Sequence, residues 1–320
     1  MLHGRRALLL APVLAAAGVR PALAAPAIRV GTLRFGAVAW ELDVMRTHGL
    51  DAASGVAVTP VEFAASQATQ VALQAGNVDM IVQDWLWVSR QRASGGAFTL
   101  SPTSGALGAV MSPPGSTVQA AGDLPGRRLG IAGSPLDKSW LILRAYAQRV
   151  LNIDLDVAAI KSFGPPPLLA EQLAQGRLDA VLTYWPFAAR AEAAGQRRVL
   201  AMEDAVEALG LSSNVPFIGA VFADSFAERN PAAVNGFIEA ARQARAILVS
   251  SDAEWDRIAP LTGAAGSDEL ARLRTWYRRG VPPSWDLDAV PRLYDLLAEI
   301  GGPALVGPAT HLAPGTLWTA

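Results

Sequence analysis

The side chains most often used for covalent or acid–base chemistry are scarce in this sequence. Cysteine is absent, and His3, His48 and His311 are the only histidines. There is therefore no thiolate nucleophile, no disulfide and no sulfur-ligated metal site. A Ser-His-Asp triad or a His-rich zinc site would have to be assembled from histidines far apart in the chain. The remaining residues suit the holding of a molecule better than the breaking of one. Ser134-Pro135-Leu136-Asp137 reads as a helix start, with Ser134 as cap, Pro135 at the first helical position and Asp137 as capping-box partner. A helix start offers free N–H groups and a positive dipole end, which suit a sulfonate, phosphate or carboxylate. Ser66-Gln67 occupies the equivalent point earlier in the chain and is expected to face Ser134. Lys138, the only lysine besides Lys161, reads as a solvated side chain, with assistance to a bound anion as the alternative.

Aromatic residues form a second set. Phe35 and Trp40 lie in a predicted loop after the first strand, Trp85 and Trp87 follow a later strand, and Tyr184 and Trp185 follow its repeat. Large rings at the carboxyl ends of strands can wall a pocket and stack on a planar or cationic molecule. Trp85 and Tyr184 are the foremost candidates. Asp84, pointing inward, would oppose an anion and favour an amine or a hydrogen-bonding heterocycle, whereas Arg34 argues the reverse. These residues leave that conflict open.

The elements that position these side chains come from a repeat. Leu73-Gln74-Ala75-Gly76-Asn77-Val78-Asp79 through Trp85 reappears as Leu173-Ala174-Gln175-Gly176-Arg177-Leu178-Asp179 through Trp185, and the match continues through Arg90 and Arg190, then Gly95 and Gly195. Each copy reads as a helix ending at a glycine cap (Gly76, Gly176), a structural turn aspartate (Asp79, Asp179), a short apolar strand and a new helix. The strands Ile28–Gly31 and Arg128–Ile131 open the two halves. Strand and helix alternate through both, which predicts open α/β sheets with a ligand site outside the strands' carboxyl ends. After residue 214 the pattern changes to one strand, Phe217–Phe222, and then helices beginning at Asn230-Pro231 and near Asp252, Ser267 and Asp288. With no third repeat, this segment is expected to return to the first lobe and complete it.

The N-terminus reads as a targeting segment: Arg5 and Arg6, an apolar run from Ala7 to Ala17 too short to span a bilayer, and a small-residue cleavage site at Ala22-Leu23-Ala24. The paired arginines leave Sec and twin-arginine export both open. The chain has 320 residues, is 51% hydrophobic and carries a formal charge of −1, which points to a sizeable core and offers no basic field for nucleic acid.

Four places carry a family resemblance: His48-Gly49-Leu50 with Gly55-Val56-Ala57-Val58; Leu73 to Asp79; Asp123-Leu124-Pro125-Gly126-Arg127-Arg128-Leu129-Gly130; and Phe222-Ala223-Asp224-Ser225-Phe226 through Asn230-Pro231. In this order they resemble the periplasmic binding proteins for sulfonates, taurine, nitrate and thiamine-pyrimidine precursors. The resemblance implies an α/β, two-lobed periplasmic binding protein of type II, with open sheets, a central cleft and two crossover hinges near Gly105 to Ser112 and Asn214 to Ala220. The expected organisation is a signal peptide over 1–24, lobe 1 over 25–110 and 218–320, and lobe 2 over 111–217. The implied role is solute binding for an ABC-type importer, with a small-molecule ligand (a sulfonate-like anion favoured), an inner-membrane permease as partner, no nucleic acid, no cofactor or metal, and a monomeric periplasmic state. Arg34, Phe35, Trp40, Ser66, Gln67, Asp84, Trp85, Ser134, Tyr184 and Trp185 are the expected contacts. Two alternatives stand beside it: an accessory or sensor protein that binds another protein, and an enzyme of the thiamine-pyrimidine type. That enzyme uses histidine and a cysteine-rich motif, which this chain lacks.

Overall fold

A computed structural model describes residues 26–33 and 36–318. The expected targeting segment, Arg34 and Phe35 lie outside the described residues. The first half runs β1 (Ala27–Leu33), α1 (Ala37–Thr47), α2 (Leu50–Ala53), β2 (Ala57–Phe63), α3 (Ser66–Gln74), β3 (Met80–Asp84), α4 (Trp85–Ala93) and β4 (Phe98–Ser104). The second runs β5 (Gly108–Ser112), β6 (Arg128–Ala132), α5 (Lys138–Leu151), α6 (Leu155–Ala158), β7 (Ile160–Gly164), α7 (Pro166–Ala174), β8 (Ala180–Tyr184), α8 (Trp185–Ala193), β9 (Arg197–Ala201) and α9 (Met202–Ala208). The remainder is β10 (Ile218–Ala223), α10 (Asp224–Arg229), α11 (Pro231–Ser250), α12 (Asp252–Thr262), α13 (Ser267–Arg279) and α14 (Ala289–Val306).

These strands form two five-stranded sheets, ordered β2-β1-β3-β10-β4 and β7-β6-β8-β5-β9. The internal repeat is structural. Helices α3 and α7, strands β3 and β8, and helices α4 and α8 have bounds displaced by 100 residues. In each sheet the opening strand lies between two parallel neighbours. One strand in each is antiparallel to its neighbours: β10, which returns from beyond the second half, beside β3, and β5, the first strand after the passage between sheets, beside β8. The chain thus passes between sheets twice, across residues 105–107 and again between α9 and β10. The first passage ends where β5 begins, at Gly108. The two passages meet where the Phe217 N–H donates to the Ser104 carbonyl at 2.9 Å, and the Gly105 N–H of the first donates to the Gly280 carbonyl at the end of α13 at 2.8 Å.

The turn aspartates explain how each opening strand is registered. Asp79 accepts from the Arg29 backbone N–H at 2.8 Å and from its guanidinium at 2.7 Å. Asp179 does the same with Arg128, at 2.8 and 2.6 Å. Each clips the strand that follows it to the first strand of its own sheet. Burial pushes the Asp79 carboxyl up, but the bonds from Arg29 outweigh it and hold it below the ordinary aspartate range. The Arg128 side chain holds Asp179 down likewise. Groups held down in this way stabilise the fold above the unfolded aspartate pKa and lose that contribution as pH falls through the folded value. Asp79→Ala or Asp179→Ala is expected to cost about 1 kcal/mol, since the arginines are partly solvated. Urea unfolding at neutral pH should show this deficit, and it should shrink below about pH 3.

The last helices do more than complete the first lobe. Helix α13 packs on α12 and also on α8 of the second lobe, and α14 packs on both α4 and α5. Both hydrophobic clusters therefore cross between lobes. One joins Ile81 and Trp85 to Ile131 and Leu182 through Leu293 and Tyr294. The other joins Val30 and Trp40 to Val181 and Ala188 through Trp276 and Tyr277. At the start of α11, the Asn230 side chain does not cap; its amide donates to the Phe226 carbonyl at 3.1 Å, tying α10 to α11.

Candidate functional site

The repeat-related strands β3 and β8 end in Asp84 and Tyr184, each the cap residue of the helix that follows. Asp84 closes β3 and caps α4, its Oδ1 accepting from the Trp87 N–H at 2.8 Å. Tyr184 is its repeat equivalent at the end of β8. The Tyr184 hydroxyl donates to Asp137 Oδ2 at 3.1 Å, while Asp137 Oδ1 accepts from the Ser139 N–H at 2.9 Å and caps α5. Next to Asp137, the Lys138 ammonium lies 3.8 Å from Asp84 Oδ2. That contact joins the strand ends of one sheet to those of the other. A second joins Trp40 of α1 to Trp185 of α8, ring centroids 6.0 Å apart at 84°. The carboxyl ends of the two sets of strands therefore face each other, as the repeat predicts.

Burial pushes the Asp137 carboxyl up, against the lowering influence of Lys138, the Ser139 N–H and the Tyr184 hydroxyl, with Asp84 adding to the rise. Burial and the Asp137 charge also raise the Tyr184 phenol far above its ordinary value, so it remains a hydrogen-bond donor. On the other side of Trp40, Glu41 accepts from the Tyr277 hydroxyl at 2.9 Å and lies 3.3 Å from Arg245. Burial lifts Glu41 above the ordinary glutamate range despite both partners. A cavity of about 30 Å³ adjoins this pair between α1, α11 and the first sheet, and Val82, Thr103 and Ile218 contribute to its lining. A larger open groove, about 530 Å³, lies between the far end of α4 and residues 308–314. It is at the opposite end of that helix from Asp84.

Several expectations change. The cap of α5 is Asp137, one turn beyond Ser134, and Pro135 precedes the helix. Ser134 Oγ accepts from the Leu136 N–H at 3.2 Å within the preceding turn. Trp40 lies on helix α1, not in a loop, because the Ala37-Val38-Ala39 run continues helically from Gly36. Its ring is buried edge-on against Trp185 and Trp255. Trp85, at 0% exposure, points away from the cleft. Its indole N–H donates to the Pro216 carbonyl at 2.6 Å, and its ring packs against Phe217 and Tyr294. Trp87 packs on Phe98 beside it. Lys138 is not solvated: its side chain is only 17% exposed and paired across the lobes. Ser66 stands at the start of α3 and accepts from the Gln83 side chain at 3.1 Å, and Gln67 next to it is exposed.

The structure thus brings together Trp40, Asp84, Tyr184 and Trp185. It adds Asp137, Lys138, Glu41 and Tyr277. Asp137 carried its own signal, since aspartate is a preferred helix cap whose carboxylate accepts a backbone N–H two residues on. Tyr277 lies too far along the chain for any local signal. The two histidines among the described residues are elsewhere: His48 pairs with Glu254 and His311 with Asp295.

Two facing α/β sheets of order 2-1-3-n-4, joined by two crossovers and meeting at their strand ends, define a two-lobed periplasmic-binding-protein fold of type II. The chain belongs to the NMT1/THI5-like family, whose model matches residues 44–254. No curated protein sequence matches it. Among solved structures it resembles the periplasmic aliphatic sulphonate binding protein SsuA from Escherichia coli, with TM-score 0.69 and 18% identity over 88% of this chain and 94% of that one. It also resembles the alkanesulfonate-binding protein SsuA from Xanthomonas axonopodis pv. citri bound to MOPS, with TM-score 0.68 and 19% identity over 92% and 98% of the two chains. A third is the periplasmic nitrate-binding protein NrtA from Synechocystis PCC 6803, with TM-score 0.58 and 12% identity over 73% and 65%.

Proposed function

We propose that the chain is the solute-binding component of an ABC-type importer, capturing a small organic molecule between its lobes. The observation that carries this reading is the convergence of both sets of strand ends on Asp84, Lys138, Asp137 and Tyr184. Hinge closure about residues 105–107 and the segment between α9 and β10 brings the lobes onto the solute. The closed form is then what an inner-membrane permease meets. In this reading lobe 1 comprises β1 to β4 with β10 and the helices after it, lobe 2 comprises β5 to α9, and the protein acts as a periplasmic monomer without a cofactor. No helix of the described residues is long and apolar enough to cross a membrane, which is consistent with that setting. The contacts proposed are Asp84, Tyr184, Asp137 and Lys138, with Ser66 and Gln67 at the start of α3 and Trp40 and Trp185 as the aromatic wall.

The test is a thermal-shift screen of the full chain against sulfonates, nitrate, pyrimidines, amines and aromatic acids. A solute at a hundred times its Kd stabilises by about 2.7 kcal/mol, a rise of roughly 5–10 °C for a chain of this size. Tyr184→Phe should weaken that shift while leaving the unliganded melting temperature within about 2 °C. No shift from any class, together with capture of a specific partner protein, would replace the transport reading with the accessory one.

A further inference from the structure

The charge a solute must carry can be read from how each helix start at the cleft is already used. Helix α4 is capped by Asp84 and α5 by Asp137, so a built-in carboxylate occupies both positive helix ends. Helix α7 is capped by Pro165 and begins with Pro166-Pro167, which removes the N–H groups that its repeat partner α3 keeps at Ser66 and Gln67. Helix α8 has Pro186 in its first turn. Of these starts only α3 retains a full set of N–H groups; α1, which begins at Gly36 without a side-chain cap, retains its own as well. Among the described residues, the only cation within 4 Å of Asp84 or Asp137 is Lys138, and at 3.8 Å it is too far to hydrogen-bond Asp84. Among the described residues, a sulfonate placed here would meet two carboxylates and one ammonium.

A further group at this edge lacks a partner. The Thr183 hydroxyl, in a residue 4% exposed and adjoining Tyr184, makes no hydrogen bond. In the repeat Thr183 takes the place of Gln83, whose amide reaches Ser66 at the start of α3. The Thr183 hydroxyl thus lies toward the proline-blocked start of α7, and a buried hydroxyl left unpaired there is unfavourable until something enters to meet it.

We infer that the cleft recognises a solute bearing a cationic nitrogen (an amine, amidinium or guanidinium) held between Asp84 and Asp137, with Thr183 free to bond its polar body. This deepens the solute-receptor reading and rests on it. Lys138 acts as a tethered stand-in for the missing cation and is displaced when the solute enters. The pH dependence has a definite sign. A bound cation takes over from Lys138 and, with the Ser139 N–H and the Tyr184 hydroxyl, favours the ionised Asp137, against burial and Asp84. Affinity for an amine therefore rises as pH rises through the elevated Asp137 range, and affinity for an anion falls.

The experiment titrates the full chain with probes of one skeleton and opposite charge: benzylamine and benzamidine against benzenesulfonate and benzoate, with ethylamine against ethanesulfonate. The cationic members are expected to bind and to tighten with pH. Asp84→Asn should weaken them about tenfold, the loss of one charge-assisted bond. Lys138→Gln should tighten them several-fold. Binding of the anionic members, with loss on Lys138→Gln or Arg34→Gln, overturns the inference and leaves the solute-receptor reading standing. No binding by any member of either charge counts against both.

Discussion

Replacing Trp85 with alanine is expected to lower stability by about 4 kcal/mol and to leave little well-folded protein near the physiological temperature range. The ring is fully buried where the second passage between sheets crosses under α14. It contacts Phe217, the last residue of the crossover, and Tyr294, on a helix that packs against both lobes. Truncation would open a cavity among residues that cannot collapse into it without moving β10 or α14. It would also orphan the Pro216 carbonyl, to which the indole donates at 2.6 Å. Trp85→Phe separates the two effects, since it restores most of the volume but not the donor. It should cost about 1–3 kcal/mol, the penalty for the unpaired carbonyl. Chemical denaturation of the three proteins measures both steps. A Trp85→Ala protein that unfolded like the parent but bound solute poorly would show that the ring faces the cleft after all.

A comparable loss is expected from Gly108→Ala. Gly108 opens β5, the first strand after the passage to the second sheet, and pairs with Tyr184 across the antiparallel ladder. A Cβ there would fall inside the contact distance of the Thr183 carbonyl oxygen, with Tyr184 Cα only 3.0 Å away. Both are backbone atoms, so relief requires shifting β5 against β8. That ladder anchors the crossover and carries the cleft tyrosine. The cost is expected to be about 3 kcal/mol, a fall in melting temperature of roughly 6–12 °C. Because the shift would drag Tyr184 away from Asp137, solute affinity should fall as well. A scanning-calorimetry trace indistinguishable from the parent would refute this account of the hinge.

The sequence made the repeat legible because it is local. Each copy holds a helix, a turn aspartate, a strand and a helix within about 30 residues, and apolar periodicity with glycine punctuation suffices to read that. The pairing of Asp79 with Arg29 and of Asp179 with Arg128 gives those turn residues their structural reason. Strand-end aromatics were harder to read. A tryptophan after a buried strand can turn toward the cleft or toward the packed helices, and only the helices decide. For Trp85 the decision is made by Tyr294, more than 200 residues later, and for Trp185 by Tyr277. The cap of α5 was ambiguous for a related reason. Ser134 and Asp137 are both acceptable by local rules, and Asp137 is selected by a partner on another strand, the Tyr184 hydroxyl. The site was legible where neighbours in sequence set it and hidden where a distant element did.

The order of strands has a consequence for how the chain is made. In the first sheet, β4 pairs with β10, a strand that begins at residue 218, and at Leu100 with residues 316 and 318, later still in the chain. The second sheet draws all five of its strands from one continuous stretch between Gly108 and Ala201. A chain emerging from its N-terminus can therefore complete its second lobe before its first. Meanwhile β3 and β4 wait with open edges until more than a hundred later residues have appeared. The earliest-made part of the molecule is the last to finish folding, and its unpaired strand edges are the part of the nascent chain most in need of protection.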